Sequence, residues 1–290
     1  MQQCPPKRLP AWMRTSRRTD RSFVRVQRLL EAESLCTVCQ DAKCPNRLQC
    51  WNEGTATFMI LGHACTRNCR FCAVQKTVPR EPDPNEPASV ARAVKAMNLR
   101  HAVITSVTRD DLPDGGAGHF AGTVRMIRAA GVTVEVLVPD FNGCAAALET
   151  VLDARPDVFG HNIETVRRLQ AVVRPMASYE RSLAVLRAAA AHGGALVKSG
   201  LMLGMGETRA EILQAMDDLL EAGCELLTMG QYLAPTPDHY PAASYLAPEE
   251  FDELGDAARA KGFRAVASGP LVRSSYRAAQ MFVQAQGAKP

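Results

Sequence analysis

The sequence predicts an α/β protein built from six repeated strand–helix units, and three observations carry that expectation. Short runs rich in β-branched and apolar residues recur along the chain. Helix patterns that end at glycine or before proline separate them. The composition, 47% hydrophobic and 22% charged over 290 residues, is that of a globular chain long enough for a large core.

The strand candidates, in order, are Thr55–Gly62, His101–Val107, Thr133–Phe141, Val158–Thr165, Leu196–Gly204 and Leu226–Leu233. Each is bounded by Gly, Pro or Asp, and each reads as a continuously apolar run, as parallel strands covered on both faces should. The helix candidates between them are Glu86–Leu99, Gly118–Ala130, Ala145–Ala154, Tyr179–His192, Glu207–Ala222 and Pro248–Lys261. Gly131, Gly193, Gly223 and Gly262 stand just past four of them, the usual C-terminal signal. Right-handed crossovers curl such units into a barrel or an open wound sheet. Arg264–Val272 is a candidate for one more strand, followed by a polar turn and a short helix. Residues 1–54 show no clear period.

Polar residues gather at the C-terminal ends of the strands, where barrels bind ligands. They are Cys65, Thr108–Asp111, Asp140, Asn142, Asn162, Glu164, Glu207 and Gln231. His101, His119, His192 and His239 are expected to have no catalytic part. Met202, Met205 and Met229 are expected to fill the core.

No uncharged apolar run is long enough for a membrane span, and no repeat or collagen period is present. The net charge of +4 is uneven: residues 1–30 carry eight basic side chains against Asp20 alone, so the remaining chain is slightly acidic. Such an arm suits an acidic partner or plain solvation. It lacks the apolar stretch of a secretory signal, and Pro5, Pro6 and Pro10 break up the helix a mitochondrial presequence needs, so a cytoplasmic location is expected over the mitochondrial matrix.

Six of the ten cysteines fall within residues 39–72, where average density would put about one. With no export signal, metal-ligating thiolates fit better than disulfides. Cys65, Cys69 and Cys72 form a CxxxCxxC loop directly after the first strand candidate. Three thiolates on a 4Fe–4S cube leave one iron open for chemistry. Zinc is the main alternative, but it favours a distant second pair of ligands, and His63 is the only imidazole nearby. Cys39, Cys44 and Cys50 form another triplet, the first in chain order. Cys36 makes a CxxC pair with Cys39, and spacing alone does not choose between them. Cys4, Cys144 and Cys224 read as bystanders.

The chain resembles the lipoyl synthase family of radical S-adenosylmethionine enzymes. The resemblance runs from Pro10 through Tyr276 and rests on Thr37–Asn46, Gly54–Cys72, Thr105–Phe120, His161–Thr165, Ser199–Thr208 and Gly269–Tyr276. It implies a partial TIM-type (β/α)6 barrel over residues 55–235, an N-terminal basic arm and auxiliary-cluster segment over 1–54, and a C-terminal closing segment over 236–290. It implies that Cys65, Cys69 and Cys72 hold the 4Fe–4S cluster that binds S-adenosylmethionine. Cys39, Cys44 and Cys50 hold an auxiliary 4Fe–4S cluster, with Ser275 as its fourth ligand and Cys36 outside the set.

The implied reaction inserts two sulfur atoms, at C6 and C8, into an octanoyl group on a lipoyl carrier domain. Those carbons bear hydrogens of no useful acidity, so a radical is required and a cofactor must supply it. The auxiliary cluster is then the sulfur donor. Cofactor-binding candidates are Phe71, Ser106, Asp110, Asn162, Glu164, Lys198 and Gln231, and Arg273 is a candidate anchor for the closing segment. Implied partners are the carrier domain (of 2-oxoacid dehydrogenases or the glycine cleavage H protein), an electron donor such as flavodoxin or ferredoxin, and an iron–sulfur carrier. Arg14, Arg17, Arg18 and Arg21 could steer an acidic carrier.

Other sulfur-inserting radical enzymes fit less well: methylthiotransferases need two further domains, and biotin synthase lacks the upstream triplet. An iron–sulfur carrier or scaffold would not need the barrel. A zinc-dependent nucleic-acid binder would need a basic body, so no nucleic-acid partner is expected.

Overall fold

The computed structural model describes residues 9–14 and 18–287; Cys4 and Arg17 lie outside them. One sheet of eight strands runs in sequence order: β1 Cys36–Thr37, β2 Thr57–Ile60, β3 His101–Ser106, β4 Thr133–Leu137, β5 Val158–Gly160, β6 Leu196–Leu203, β7 Leu226–Gln231 and β8 Ala265–Gly269. β2 to β8 are parallel, and β1 joins antiparallel to β2 through the pairs Cys36–Met59 and Thr37–Phe58. No pairing links β8 back to β2, so the barrel is open. All six strand candidates are present, and the seventh is β8.

Eleven α-helices stand among the described residues. Before the barrel come α1 Arg21–Ala32, α2 Val38–Asp41 and α3 Arg47–Asn52. The crossovers hold α4 Glu86–Ala96, α5 Ala117–Ala129, α6 Ala145–Leu152, α7 Gln170–Val173, α8 Tyr179–His192, α9 Arg209–Glu221 and α10 Pro248–Lys261, and α11 Ala278–Gly287 ends the chain. The crossover helices end much as the glycine signals suggest; Gly193 and Gly262 stop α8 and α10 at positive φ. α9 starts on a capping box between Thr208 and Glu211.

The sequence showed no period before residue 55, yet α1 is there. Phe23, Val26 and Leu30 are its buried stripe, spaced by three and four residues among exposed arginines. Phe23 lies against the buried Trp51 of α3, with ring centroids 5.0 Å apart.

β5 is shorter than its apolar run implies. Glu164 adopts φ 65°, which bends the chain while it still pairs beside β6: its N–H donates to Gly200 O and its carbonyl accepts from Met202 N. This bend carries Asn162 and Glu164 into the barrel mouth. Gly200 leaves the room, because a Cβ there would meet Asn162 Oδ1 at 2.9 Å.

α11 closes the opposite end. Met281, Phe282 and Ala285 pack on Val158, Leu226 and Ala265, the first residues of β5, β7 and β8. Burying Met281 and Phe282 there contributes about 1.5–3 kcal/mol each. Just above this plug lies a buried ion pair, Lys198 Nζ to Glu135 Oε1 at 2.7 Å, with His101 Nε2 3.6 Å from the other carboxylate oxygen. Burial pushes Glu135 towards protonation, but Lys198 and His101 overcome it and hold the carboxyl below its usual range. His101 is thus part of the barrel's buried charge network.

Candidate functional site

At the C-terminal ends of the strands the barrel opens into a cavity of about 780 Å³. All six clustered cysteines line it. The second triplet comes from the loop after β2. Cys65 N donates to Gln75 O at 2.8 Å and Thr66 N to Thr108 O at 3.0 Å, so the loop is fixed against the end of β3. Cys65 Sγ accepts from Thr108 N at 3.3 Å, which gives Thr108 a backbone role. His239 Nε2 lies 3.1 Å from Cys72 O, a structural contact from the segment after β7.

Arg67 anchors this loop from within, and sequence reasoning gave it no role. Its buried guanidinium reaches Asp110 Oδ2 at 2.7 Å, Asp140 Oδ1 at 2.7 Å and Asn142 Oδ1 at 2.8 Å. Arg181 Nε donates to the other Asp140 oxygen at 2.7 Å. Despite burial, Arg67 and Arg181 hold Asp140 well below the usual carboxylate range. Buried charges must be paired, and here the pairing ties the loop to the ends of β3 and β4.

The first triplet is built differently. Cys39 sits on α2, Cys44 in the turn after it, and Cys50 on α3. This segment is held by the far end of the chain: Asn46 Nδ2 donates to Leu271 O at 2.6 Å, and Gln49 Nε2 to Tyr276 Oη at 3.4 Å. Thr57 Oγ1 donates to Ser275 Oγ at 2.7 Å. The segment crosses directly over β7, where only glycine fits: a Cβ on Gly230 would lie 1.9 Å from Val272 O. Ser275 and Arg273 therefore line the cavity beside the first triplet. Arg273 Nη1 donates to Val272 O at 2.6 Å, and burial lowers its pKa.

Of the other candidates, Phe71, Ser106, Asn162, Glu164 and Gln231 line the cavity. Asn162 Nδ2 donates to Ser274 Oγ at 2.6 Å and to Glu164 Oε1 at 3.1 Å. Burial raises the Glu164 pKa. Gln231 is spent on structure, donating to Tyr232 O and Ser244 O and accepting from Leu246 N.

Two candidates fall elsewhere. Asp110 is outside the cavity lining because Arg67 claims both its oxygens. Lys198 is also outside it, committed to Glu135 at the plugged end. Glu207 turns back on its own loop, accepting from Gly204 N and Met205 N. Met205 and Met229 are buried core, whereas Met202 is half-buried and lines the cavity.

The donor set suits two clusters. The nine described cysteines are all free thiols. Burial pushes Cys50 and Cys72 up to about 12, and it raises Cys39 and Cys69 as well. Neither triplet draws its three sulfurs within 4.8 Å of one another, as ligands of one ion would be; among the described residues only Cys36, Asp41 and His63 do so. Thiolates on separate irons of a cube stand farther apart than thiolates on a single ion. Ser106 Oγ is buried in the cavity wall with no partner among the described residues, a polar atom suited to a bound cofactor.

A family model for the radical SAM superfamily matches residues 59–219. A lipoyl synthase of Chlorobium phaeovibrioides is 53% identical over 276 residues, covering 93% of this chain and 96% of the relative. One from Pyrobaculum arsenaticum is 52% identical over 288 residues, covering 97% of each. The chain belongs to the lipoyl synthases of the radical SAM superfamily. Lipoyl synthases are sulfurtransferases that use S-adenosylmethionine and 4Fe–4S clusters, insert two sulfur atoms into a protein-bound octanoyl group, and act on a lipoyl carrier.

Among solved structures, methylornithine synthase (PylB) superposes with a TM-score of 0.57 at 13% identity, covering 72% of this chain and 62% of that one. Streptococcus suis SuiB bound to S-adenosylmethionine gives a TM-score of 0.56 at 10% identity, covering 74% and 51%. At such identity these two speak for the barrel fold alone. No helix among the described residues is long and apolar enough to cross a membrane.

Proposed function

We propose that Cys65, Cys69 and Cys72 hold the cluster that binds S-adenosylmethionine, and that Cys39, Cys44, Cys50 and Ser275 hold the auxiliary cluster. The observation that carries this reading is that both triplets and Ser275 line one cavity. When bound, the cofactors supply a radical that removes hydrogen at C6 and C8 of the octanoyl chain, and the auxiliary cluster supplies the sulfur.

The chain's own residues do the rest. Met59, Leu137, Leu201 and Met202 give the cavity an apolar wall for an aliphatic tail. Ser106, Asn162 and Glu164 offer hydrogen bonds to the polar groups of S-adenosylmethionine, and Phe71 offers it a flat apolar face. Arg273 and Ser275, on the strap over Gly230, bring the closing segment against the substrate. Residues 1–54 then serve as the auxiliary-cluster segment, 55–235 as the radical barrel, and 236–290 as the closure.

The substrate carrier is a 2-oxoacid dehydrogenase subunit or a glycine cleavage H protein in a bacterial cytoplasm. A flavodoxin or ferredoxin supplies electrons, and an iron–sulfur carrier rebuilds the spent cluster. Arg21, Arg25 and Arg28 share an exposed face of α1, Arg14 and Arg18 before it are exposed too, and this basic character suits an acidic carrier surface. Anaerobic reconstitution, iron and sulfide analysis and incubation with S-adenosylmethionine, reductant and an octanoyl-lysine peptide test the assignment. Two clusters per chain and a dithiolated product are expected; one cluster, or cofactor cleavage without thiolation in the two-cluster protein, would contradict it.

A further inference from the structure

Cys36 stands outside both triplets, and the cluster assignment leaves it without a task. It is buried on β1. Its sulfur lies 3.3 Å from each ring nitrogen of His63. His63 Nδ1 is also 3.0 Å from Asp41 Oδ2. One atom from each of the three residues falls within 4.8 Å of the other two, the only such trio among the described residues.

We propose that Cys36, His63 and Asp41 form a mononuclear divalent-cation site, separate from both cysteine triplets, whose donor set selects zinc. One thiolate, one imidazole and one carboxylate are a zinc-type ligand set, with a fourth, open position for water. Zinc bonds of roughly 2.0–2.3 Å in a tetrahedron put neighbouring donors roughly 3.3–3.6 Å apart. The trio is therefore nearly at ligand spacing, with His63 Nδ1 shared between the sulfur and the carboxylate. Those two spacings, 3.3 and 3.0 Å, need to change by only a few tenths of an ångström, and the sulfur and the carboxylate oxygen lie within 4.8 Å of each other.

The alternative use of such a trio, an acid–base relay, would put the carboxylate on one ring nitrogen and the thiol on the other. Here the sulfur lies equally close to both ring nitrogens, so it is not directed at the one that the carboxylate leaves free. His63 is 63% exposed, so the cation has a route in from solvent and water can complete its shell. Binding transfers the thiol proton to solvent as the sulfur–metal bond forms.

The position gives the site a consequence. Asp41 lies between Cys39 and Cys44, and His63 stands two residues before Cys65. A cation there clips the segment bearing the first triplet to the loop bearing the second. It would stabilise the folded chain in proportion to its occupancy. The inference holds whichever cluster each triplet carries.

The test uses the holoenzyme, dialysed against zinc ions and assayed for zinc and iron together. One zinc per chain is expected, with iron unchanged and with zinc X-ray absorption showing a single sulfur among nitrogen and oxygen ligands. Cys36→Ser and His63→Ala should each weaken zinc retention at least tenfold while keeping the wild-type iron content. His63 is exposed, so its variant remains informative if Cys36→Ser does not fold. No retained zinc, zinc retained equally by a folded variant, or a shell of several sulfurs would overturn the proposal.

Discussion

Cys65, Cys69 and Cys72 sit on a loop fixed from inside the barrel, whereas Cys39, Cys44 and Cys50 sit on two short helices held from the far end of the chain. The first arrangement rests on Arg67, the buried Asp140 and the more exposed Asp110, which join neighbouring strand ends. The second rests on the short β1–β2 pairing just before α2 and on single hydrogen bonds from Asn46 and Gln49 to Leu271 and Tyr276, with Thr57 of β2 holding Ser275. The barrel-side triplet is therefore tied to the strand ends by charged pairs, and the other meets the closing strap through neutral hydrogen bonds. That contrast suits a pair of centres of which one persists and the other is consumed and rebuilt.

The largest effects should separate the two triplets. Cys69→Ala is expected to abolish both S-adenosylmethionine cleavage and product. Cys44→Ala is expected to keep cleavage and lose all product. Each should halve the iron content; identical phenotypes in the two variants would break the comparison.

Next comes the anchoring. Arg67→Ala leaves Asp140 buried with only Arg181, a loss of about 3–5 kcal/mol by the usual cost of breaking a buried pair. Calorimetry of the anaerobic protein should show it, and a change within error would mean the barrel-side loop is held by its backbone bonds alone.

Much of this was legible in the sequence. The apolar runs mark every parallel strand, because burial on both faces leaves little choice of residue. The CxxxCxxC spacing marks its own loop. The ion pairs were not legible: nothing local says that Asp110 turns to Arg67, 43 residues away, or that Lys198 reaches Glu135, 63 residues away. Both residues look like rim candidates by position, and tertiary charge pairing takes them away from the cavity. α1 was hidden because its arginines mask a narrow apolar stripe. Ser275 was named through family resemblance alone, since its contact with Thr57 spans 218 residues.

A smaller effect concerns pH. His161 is buried behind the barrel-side site, bonded to Val138 O and Ser182 Oγ, and burial lowers its pKa to about 4. The unfolded chain protonates near 6.5, so between these values the unfolded state holds the extra proton. Stability must then fall as the solution is acidified through this window, by about 1.4 kcal/mol per pH unit. Denaturant titrations of the wild type and His161→Gln should diverge in slope across it; parallel curves would show that His161 does not carry the effect.

The smallest change expected is in the strap. Ser275→Cys should retain the auxiliary iron and slow sulfur insertion about tenfold, roughly 1.4 kcal/mol on the barrier, because a thiolate leaves iron less readily than a serine oxygen. Unchanged turnover would remove the idea that the serine is the weak link.

The central claim is that the triplet held by the strap carries the consumable centre. Mössbauer spectra of the reconstituted enzyme, taken before and after a single turnover without added iron or sulfide, address it directly. The account predicts that one of two clusters disappears as dithiolated product forms, and that Cys44→Ala, holding only the other cluster, forms none. Full product with both clusters intact would contradict it.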